Sequence, residues 1–81
     1  MNNGITLAEY NQVKNGMTYN QVLSLTGQNL KLTFSSEYSG WTSKYYEWNY
    51  EKMTETTYDI RYADFYFDND QLTLKSQYGL R

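Results

Sequence analysis

Residues 5–27, ITLAEYNQVKNGMTYNQVLSLTG, decide the fold, because they spell the same helix-start signal twice with a turn between. Thr6 followed by Glu9 is a capping box: the hydroxyl accepts from the backbone N–H three residues on, and the carboxylate reaches back to the threonine N–H. Ile5 and Tyr10 fall where a hydrophobic staple closes around that start. Thr18 and Gln21 repeat the box, with Met17 and Val22 as its staple. Asn15 and Gly16 tolerate φ > 0, which suits a helix C-terminus, and Gly27 closes the second helix in the same way. The spacing predicts helices over residues 7–14 and 19–26. Leu7, Tyr10 and Val13 line one face of the first; Val22 and Leu25, with Leu23 at the edge, line the second. Each is only about two turns long, so neither holds in water by itself and both need a surface to lie on.

The rest of the chain supplies that surface as strands. Residues 30–35 (LKLTFS) alternate, with Leu30, Leu32 and Phe34 on one face. Residues 36–43 (SEYSGWTS) have the Ser and Gly content of a loop, with Tyr38 and Trp41 as large passengers that either fold back as a plug over the sheet end or join a partner contact. Residues 44–53 alternate again, opposing Tyr46, Trp48 and Tyr50 to Tyr45, Glu47, Asn49 and Glu51; the polar run 54–57 connects onward. Residues 58–68 (YDIRYADFYFD) are the densest in β-formers, and Asn69-Asp70 then gives hairpin chemistry before a last strand over 71–78, with Leu72 and Leu74 on one face. The expected fold is α+β: two short helices packed on one face of a four-stranded antiparallel meander, in two layers.

The parity of the third strand decides what the other face carries. Ala63, Phe65 and Phe67 are the better core set, having no hydroxyl to satisfy. That choice sends Tyr58, Tyr62, Asp64 and Tyr66 to the uncovered face, as a row of tyrosines and acid. A platform of that kind marks an interaction site, or else the tyrosines are core and edge filler in a chain short of aliphatics.

Composition narrows the function. The chain has 81 residues, enough for one domain, and ten Tyr, two Trp and three Phe make 19% aromatics, so a few large rings stand in for many aliphatics. It has no Cys, His or Pro. Thiolate chemistry, disulfides, histidine general bases and the usual zinc and haem ligand sets are therefore absent, and the chain reads as a non-enzyme without cofactor or metal. The acids Glu47, Glu51, Glu55, Asp59 and Asp64 match no calcium loop and read as a solvated strand face. A net charge of −2 and scattered lysines and arginines give no basic footprint for nucleic acid. No apolar run is long enough to span a membrane. Residues 1–4 read as a tail ahead of a single domain over 5–81, with any signal or lipid anchor of a precursor removed before residue 1.

Residues 6–28, TLAEYNQVKNGMTYNQVLSLTGQ, resemble the repeat unit of the β-lactamase inhibitory protein family: a helix, a Gly-Met-Thr turn, and a Gln-Val-Leu helix ending in Gly. Residues 63–80, ADFYFDNDQLTLKSQYGL, resemble that unit's closing hairpin. The same plan is similar to small bacterial envelope lipoprotein domains, including an accessory lipoprotein of outer-membrane protein assembly. The resemblance implies a concave sheet face that binds another protein through aromatic side chains, with Phe34, Tyr58, Asp64, Tyr66 and Tyr78 at contact positions. Departures are visible: one repeat instead of two, no cysteines (Lys31 stands near one of those positions), and no counterpart in Thr54–Tyr58 of the family's inserted Asp-Tyr loop, where Glu55 is the nearest acid. A protein partner other than a β-lactamase is therefore favoured.

The expectation is a non-enzymatic protein-binding domain, secreted or held at the envelope by a lipid anchor, that works through Phe34, Trp41, Tyr58, Tyr62, Asp64, Tyr66 and Tyr78. Two alternatives stand beside it: a homodimeric envelope module whose sheet covers its own copy, and a carbohydrate-binding module that stacks Tyr and Trp on sugar rings.

Overall fold

The computed structural model describes residues 4–81. Two helices, α1 (Leu7–Gln12) and α2 (Tyr19–Thr26), precede four strands, β1 (Lys31–Tyr38), β2 (Trp41–Met53), β3 (Tyr58–Asp68) and β4 (Gln71–Tyr78). The strands form one antiparallel sheet in the order β1-β2-β3-β4. The expected α+β, two-layer fold is the observed one.

Both capping boxes form. Thr6 Oγ1 accepts from Glu9 N–H at 3.1 Å while Glu9 Oε1 accepts from Thr6 N–H at 2.9 Å. Thr18 and Gln21 repeat the exchange at 3.2 and 2.9 Å. α2 ends on Gly27 at φ 65°, the left-handed cap that glycine enters without steric cost. α1 stops earlier than residue 14, because Val13 turns to an extended backbone and is buried. The segment after it has a task that spacing does not reveal. Gly16 N–H donates to Leu72 O and Leu72 N–H to Met17 O, both at 2.8 Å, so the turn between the helices pairs with the outer edge of β4. One sheet edge is thereby covered.

The helices cover the middle of one sheet face. Ala63, Phe65 and Phe67 point into that layer and, like Leu72 from β4 and Ile5, Val13 and Val22 from the helical segment, are 2% exposed or less; Tyr46 and Trp48 from β2 are buried beside them. Aromatic rings knit the layer. Tyr19 stacks on Tyr46 at 4.2 Å between centroids, and both meet Phe67 edge-on at 5.9 and 5.7 Å. Lys75 crosses to the helix side, donating from Nζ to Tyr10 O at 2.8 Å at the end of α1 and lying over the Tyr10 ring. Burial, with Lys14 adding a smaller effect, pulls its pKa down.

Gly4 is also part of the packed layer: it is buried, and a Cβ there would sit 2.3 Å from a Trp48 ring carbon. The rest of the tail expected over residues 1–4 lies outside the described residues. At the other end Gly79 has φ 75°, and a Cβ would lie 2.5 Å from the carbonyl oxygen of Ile60. Beyond it Leu80 is buried and Arg81 O accepts from Leu7 N–H at 3.0 Å, so the C-terminus closes over α1. Gly79→Ala is expected to destabilise the domain by about 2 kcal/mol, from left-handed strain plus that contact, and to lower Tm by roughly 10 °C. Thermal unfolding by circular dichroism measures it, and an unchanged Tm would mean that the terminal segment does not hold the fold.

The stretch 36–43 is not a loop. β1 and β2 run on to a two-residue turn at Ser39 and Gly40, whose φ values of 51° and 79° belong to the mirror-image turn that matches strand twist. Tyr38 and Trp41 face each other at the hairpin end, 83% and 55% exposed, so they form no plug over the sheet. The Asn69-Asp70 turn has the same form, with φ 48° and 59°. Its side chains also bind outward: Asn69 Oδ1 accepts from Thr42 N–H at 2.9 Å, and Asp70 Oδ1 accepts from Tyr19 N–H at 3.0 Å at the start of α2. The long β2 and β3 give a molecule of 51 × 22 × 18 Å, so the sheet extends past the helices.

Candidate protein-binding face

Cross-strand register assigns each side chain to a face. The face away from the helices carries Tyr58, Tyr62, Asp64 and Tyr66 of β3, as the alternation predicts, and opposite them Met53, Asn49, Glu47 and Tyr45 of β2. The two edge strands depart from strict alternation. β1 has a bulge between Leu32 and Phe34, and β4 has one at Thr73, where Tyr66 pairs with Leu74 but Phe67 with Leu72. At each bulge a threonine hydroxyl donates to a ladder carbonyl: Thr33 Oγ1 to Tyr45 O at 3.1 Å, and Thr73 Oγ1 to Tyr66 O at 3.3 Å.

The consequence is a change of side. Phe34 does not share a face with Leu32, and Leu74 does not share one with Leu72; both turn to the open face. They complete a transverse row across all four strands, Phe34–Tyr45–Tyr66–Leu74. Phe34 is 54% and Leu74 65% exposed. Beside this row Tyr62 and Tyr78 stack at 5.7 Å with their planes 14° apart. Trp41 continues the face at the hairpin end. All seven residues expected to contact a partner therefore lie on this one face, with Phe34 placed there by a bulge that alternation missed. Tyr45, Glu47 and Leu74 join them. The alternation of β2 already signals the first two, but nothing local signals the third.

Among the described residues, nine of the ten strongly exposed large hydrophobic side chains lie on this face; the exception is Leu32. Scattered exposure of single hydrophobics is ordinary, whereas confinement to one face is the mark of an interaction surface.

The electrostatics of the face are uneven. Glu47 and Asp64 are directly opposite across β2 and β3. Asn49 Nδ2 donates to Glu47 Oε1 at 3.3 Å and Ser76 Oγ to Asp64 Oδ2 at 3.3 Å. The two ion pairs among the described residues are elsewhere, joining Asp59 to Arg61 and Arg81 on the helix side. Lys31 is the register partner of Glu47 but makes no ion pair with it within the described set. Tyr45 is pushed up to about 12, first by burial and then by its hydrogen bond to Asp64, and neighbouring acids add to the effect.

That shift has a testable sign. The folded state holds the Tyr45 proton more tightly than the unfolded chain, so its contribution is complete below about pH 10. It is lost as pH rises from about 10 to about 12. Burial raises Tyr10, Tyr19 and Tyr46 in the same direction. The urea midpoint is expected to fall across this alkaline window, and less steeply in Tyr45→Phe. An equal slope in both proteins would remove Tyr45 from the account.

A shallow depression of about 90 Å³ lies on this face, lined by Tyr45, Asp64, Tyr66, Leu74, Lys75 and Ser76. A larger cleft of about 260 Å³ lies on the helix side between α2 and β2, around Tyr19, Lys44 and Asp70. Among the described residues no group of three or more acids could hold a metal ion, and no helix is long and apolar enough to cross a membrane.

Comparison with known proteins agrees with this architecture. The family model described as Beta-lactamase inhibitor (BLIP) matches residues 6–81, which spans both helices and all four strands. No curated protein and no solved structure gives a significant match.

Proposed function

The chain belongs to the beta-lactamase inhibitor (BLIP) family, and on that premise we propose that it is a non-enzymatic protein-binding domain that meets its partner with the open face of the sheet. The observation that carries the reading is the gathering of exposed aromatic and aliphatic side chains on the one face the helices leave free. Phe34, Trp41, Tyr58, Tyr62, Asp64, Tyr66 and Tyr78 are the contact residues, with Tyr45 and Leu74 added by register. Tyrosine suits such a surface, since it offers a large rigid contact area with a polar tip that tolerates partial solvation. The family description supports a partner that is itself a protein, and a secreted or envelope location fits a target of that kind.

The test is a footprint. Amide exchange is measured on the chain alone and with each member of a panel of purified beta-lactamases, then with proteins captured from an envelope extract by the parent chain but not by Tyr66→Ala. Protection confined to β1–β4 on the open face supports the reading. Protection on α1 and α2, or capture that ignores Tyr66→Ala, overturns it. A stable dimer by light scattering, protected on the same face, would give that face to a second copy of the chain instead.

A further inference from the structure

The open face has a chemistry finer than aromatic, and it selects a kind of partner side chain. Glu47 and Asp64 stand directly opposite on neighbouring strands, an arrangement that costs stability through like-charge repulsion. The donors hydrogen-bonded to them, Asn49 and Ser76, are both neutral. Glu51 and Asp68 extend the acidic strip along the same face. The lysine lining the depression, Lys75, has its amine committed to the Tyr10 carbonyl on the other side of the sheet, and Lys31, the register partner of Glu47, forms no ion pair with it among the described residues. Next to the acid pair lies the depression of about 90 Å³, walled by Asp64 and by Tyr45 and Tyr66. It is too small for a free ligand, whose pockets run to roughly 300–1,000 Å³. It is the right scale for the end of one side chain.

We propose that this depression receives a basic side chain of the partner protein, arginine in preference to lysine, with Asp64 and Glu47 as its carboxylate partners and Tyr45 and Tyr66 as its aromatic walls. The inference rests on the protein-binding reading above and adds to it the charge of what is bound. A planar guanidinium forks onto carboxylates and stacks on aromatic rings, two demands that this site makes together and that an ammonium meets less well. Cation–π attraction from the tyrosine faces adds to the ion pair as water is excluded. In the complex the cation also relieves the repulsion between the two acids, so the free domain carries a mismatch that binding resolves. The apolar row Phe34–Leu74 around it would exclude water from the contact, as rims do around anchor residues.

The test selects random heptapeptides displayed on phage against the immobilised chain, in parallel with Asp64→Asn, Glu47→Gln and Tyr66→Ala. The parent is expected to enrich peptides with an arginine flanked by apolar residues. Asp64→Asn is expected to bind the synthesised winners roughly tenfold more weakly, while replacing the peptide arginine by norleucine costs the parent as much and the variant little. Thermal unfolding of Asp64→Asn and Glu47→Gln is expected to match or exceed the parent, since a like-charge contact is removed; if Asp64→Asn fails to fold, Glu47→Gln carries the comparison. Enriched peptides that lack a basic residue and bind with equal strength to Asp64→Asn, yet depend on Tyr66, would overturn this inference and leave the protein-binding reading standing. No enrichment, or peptides indifferent to Tyr66→Ala, would overturn both.

Discussion

Phe65→Ala is expected to leave the domain largely unfolded at 37 °C. The ring is fully buried at the centre of the sheet, opposite Tyr46 on β2, and its centroid lies 6.2 Å from that of Tyr10 on α1. Truncating a buried phenylalanine costs about 3–5 kcal/mol, from lost transfer energy plus the cavity left behind. A domain of 81 residues has roughly 4–12 kcal/mol in total. The single change therefore removes a large share of the stability, and with no cysteine in the chain no disulfide compensates. Phe65→Leu, which refills most of the volume, is expected to lose about 1.5 kcal/mol and remain folded. Urea titration followed by tryptophan fluorescence measures both. A loss below about 1 kcal/mol for Phe65→Ala would mean that helix packing on β3 is not what holds the fold.

Tyr66→Ala is expected to do the reverse. Tyr66 is the next residue on the same strand, but it points away from the helices, between Tyr45 and Leu74. Its cross-strand contacts with Tyr45 and Leu74 are worth less than about 1 kcal/mol, so the domain stays folded. Binding is where the loss falls. A half-buried tyrosine at the centre of an aromatic row is the type of residue that anchors an interface, and its removal costs 2 kcal/mol or more, about thirtyfold in Kd. Calorimetric titration of the captured partner into the parent and the variant gives the ratio, with the urea midpoint as the control. Unchanged affinity with lost stability would make the ring a core residue and refute the open-face reading. Two adjacent aromatic rings, 65 and 66, are thus expected to separate stability from recognition by pleat parity.

Much of this architecture is legible in the sequence alone. The capping boxes at Thr6 and Thr18 are local exchanges between residues three apart, so nothing beyond the segment is needed to form them. β3 sorts its own faces because one parity offers Ala63, Phe65 and Phe67 and the other offers hydroxyls and an acid. The placement of Tyr58, Tyr62, Asp64 and Tyr66 on the open face follows from that sorting at once. Ser39-Gly40 was the missed local signal: the dipeptide supports two consecutive positive φ values, and reading it as a hairpin turn extends both strands through Tyr38 and Trp41.

Other features depend on partners far along the chain. Asp70 caps α2 from 51 residues beyond Tyr19, and Gly16 and Met17 cover the edge of β4. Neither is written in the spacing of its own segment. The bulges at Thr33 and Thr73 matter most for the make-up of the open face. Alternation counts residues, but a strand's pairing counts hydrogen bonds, and one extra residue reverses every side chain after it. Leu-Thr-Phe and Leu-Thr-Leu each read as an ordinary alternating strand, and only the docking of a threonine hydroxyl on a neighbour's carbonyl marks the irregularity. By itself the sequence determined two capped helices, a meander and the faces of β3, because those rest on local hydrogen bonding and the period of a strand. The tertiary structure alone decided that Phe34 and Leu74 complete the open face, because the register of an edge strand is settled by the strand it pairs with.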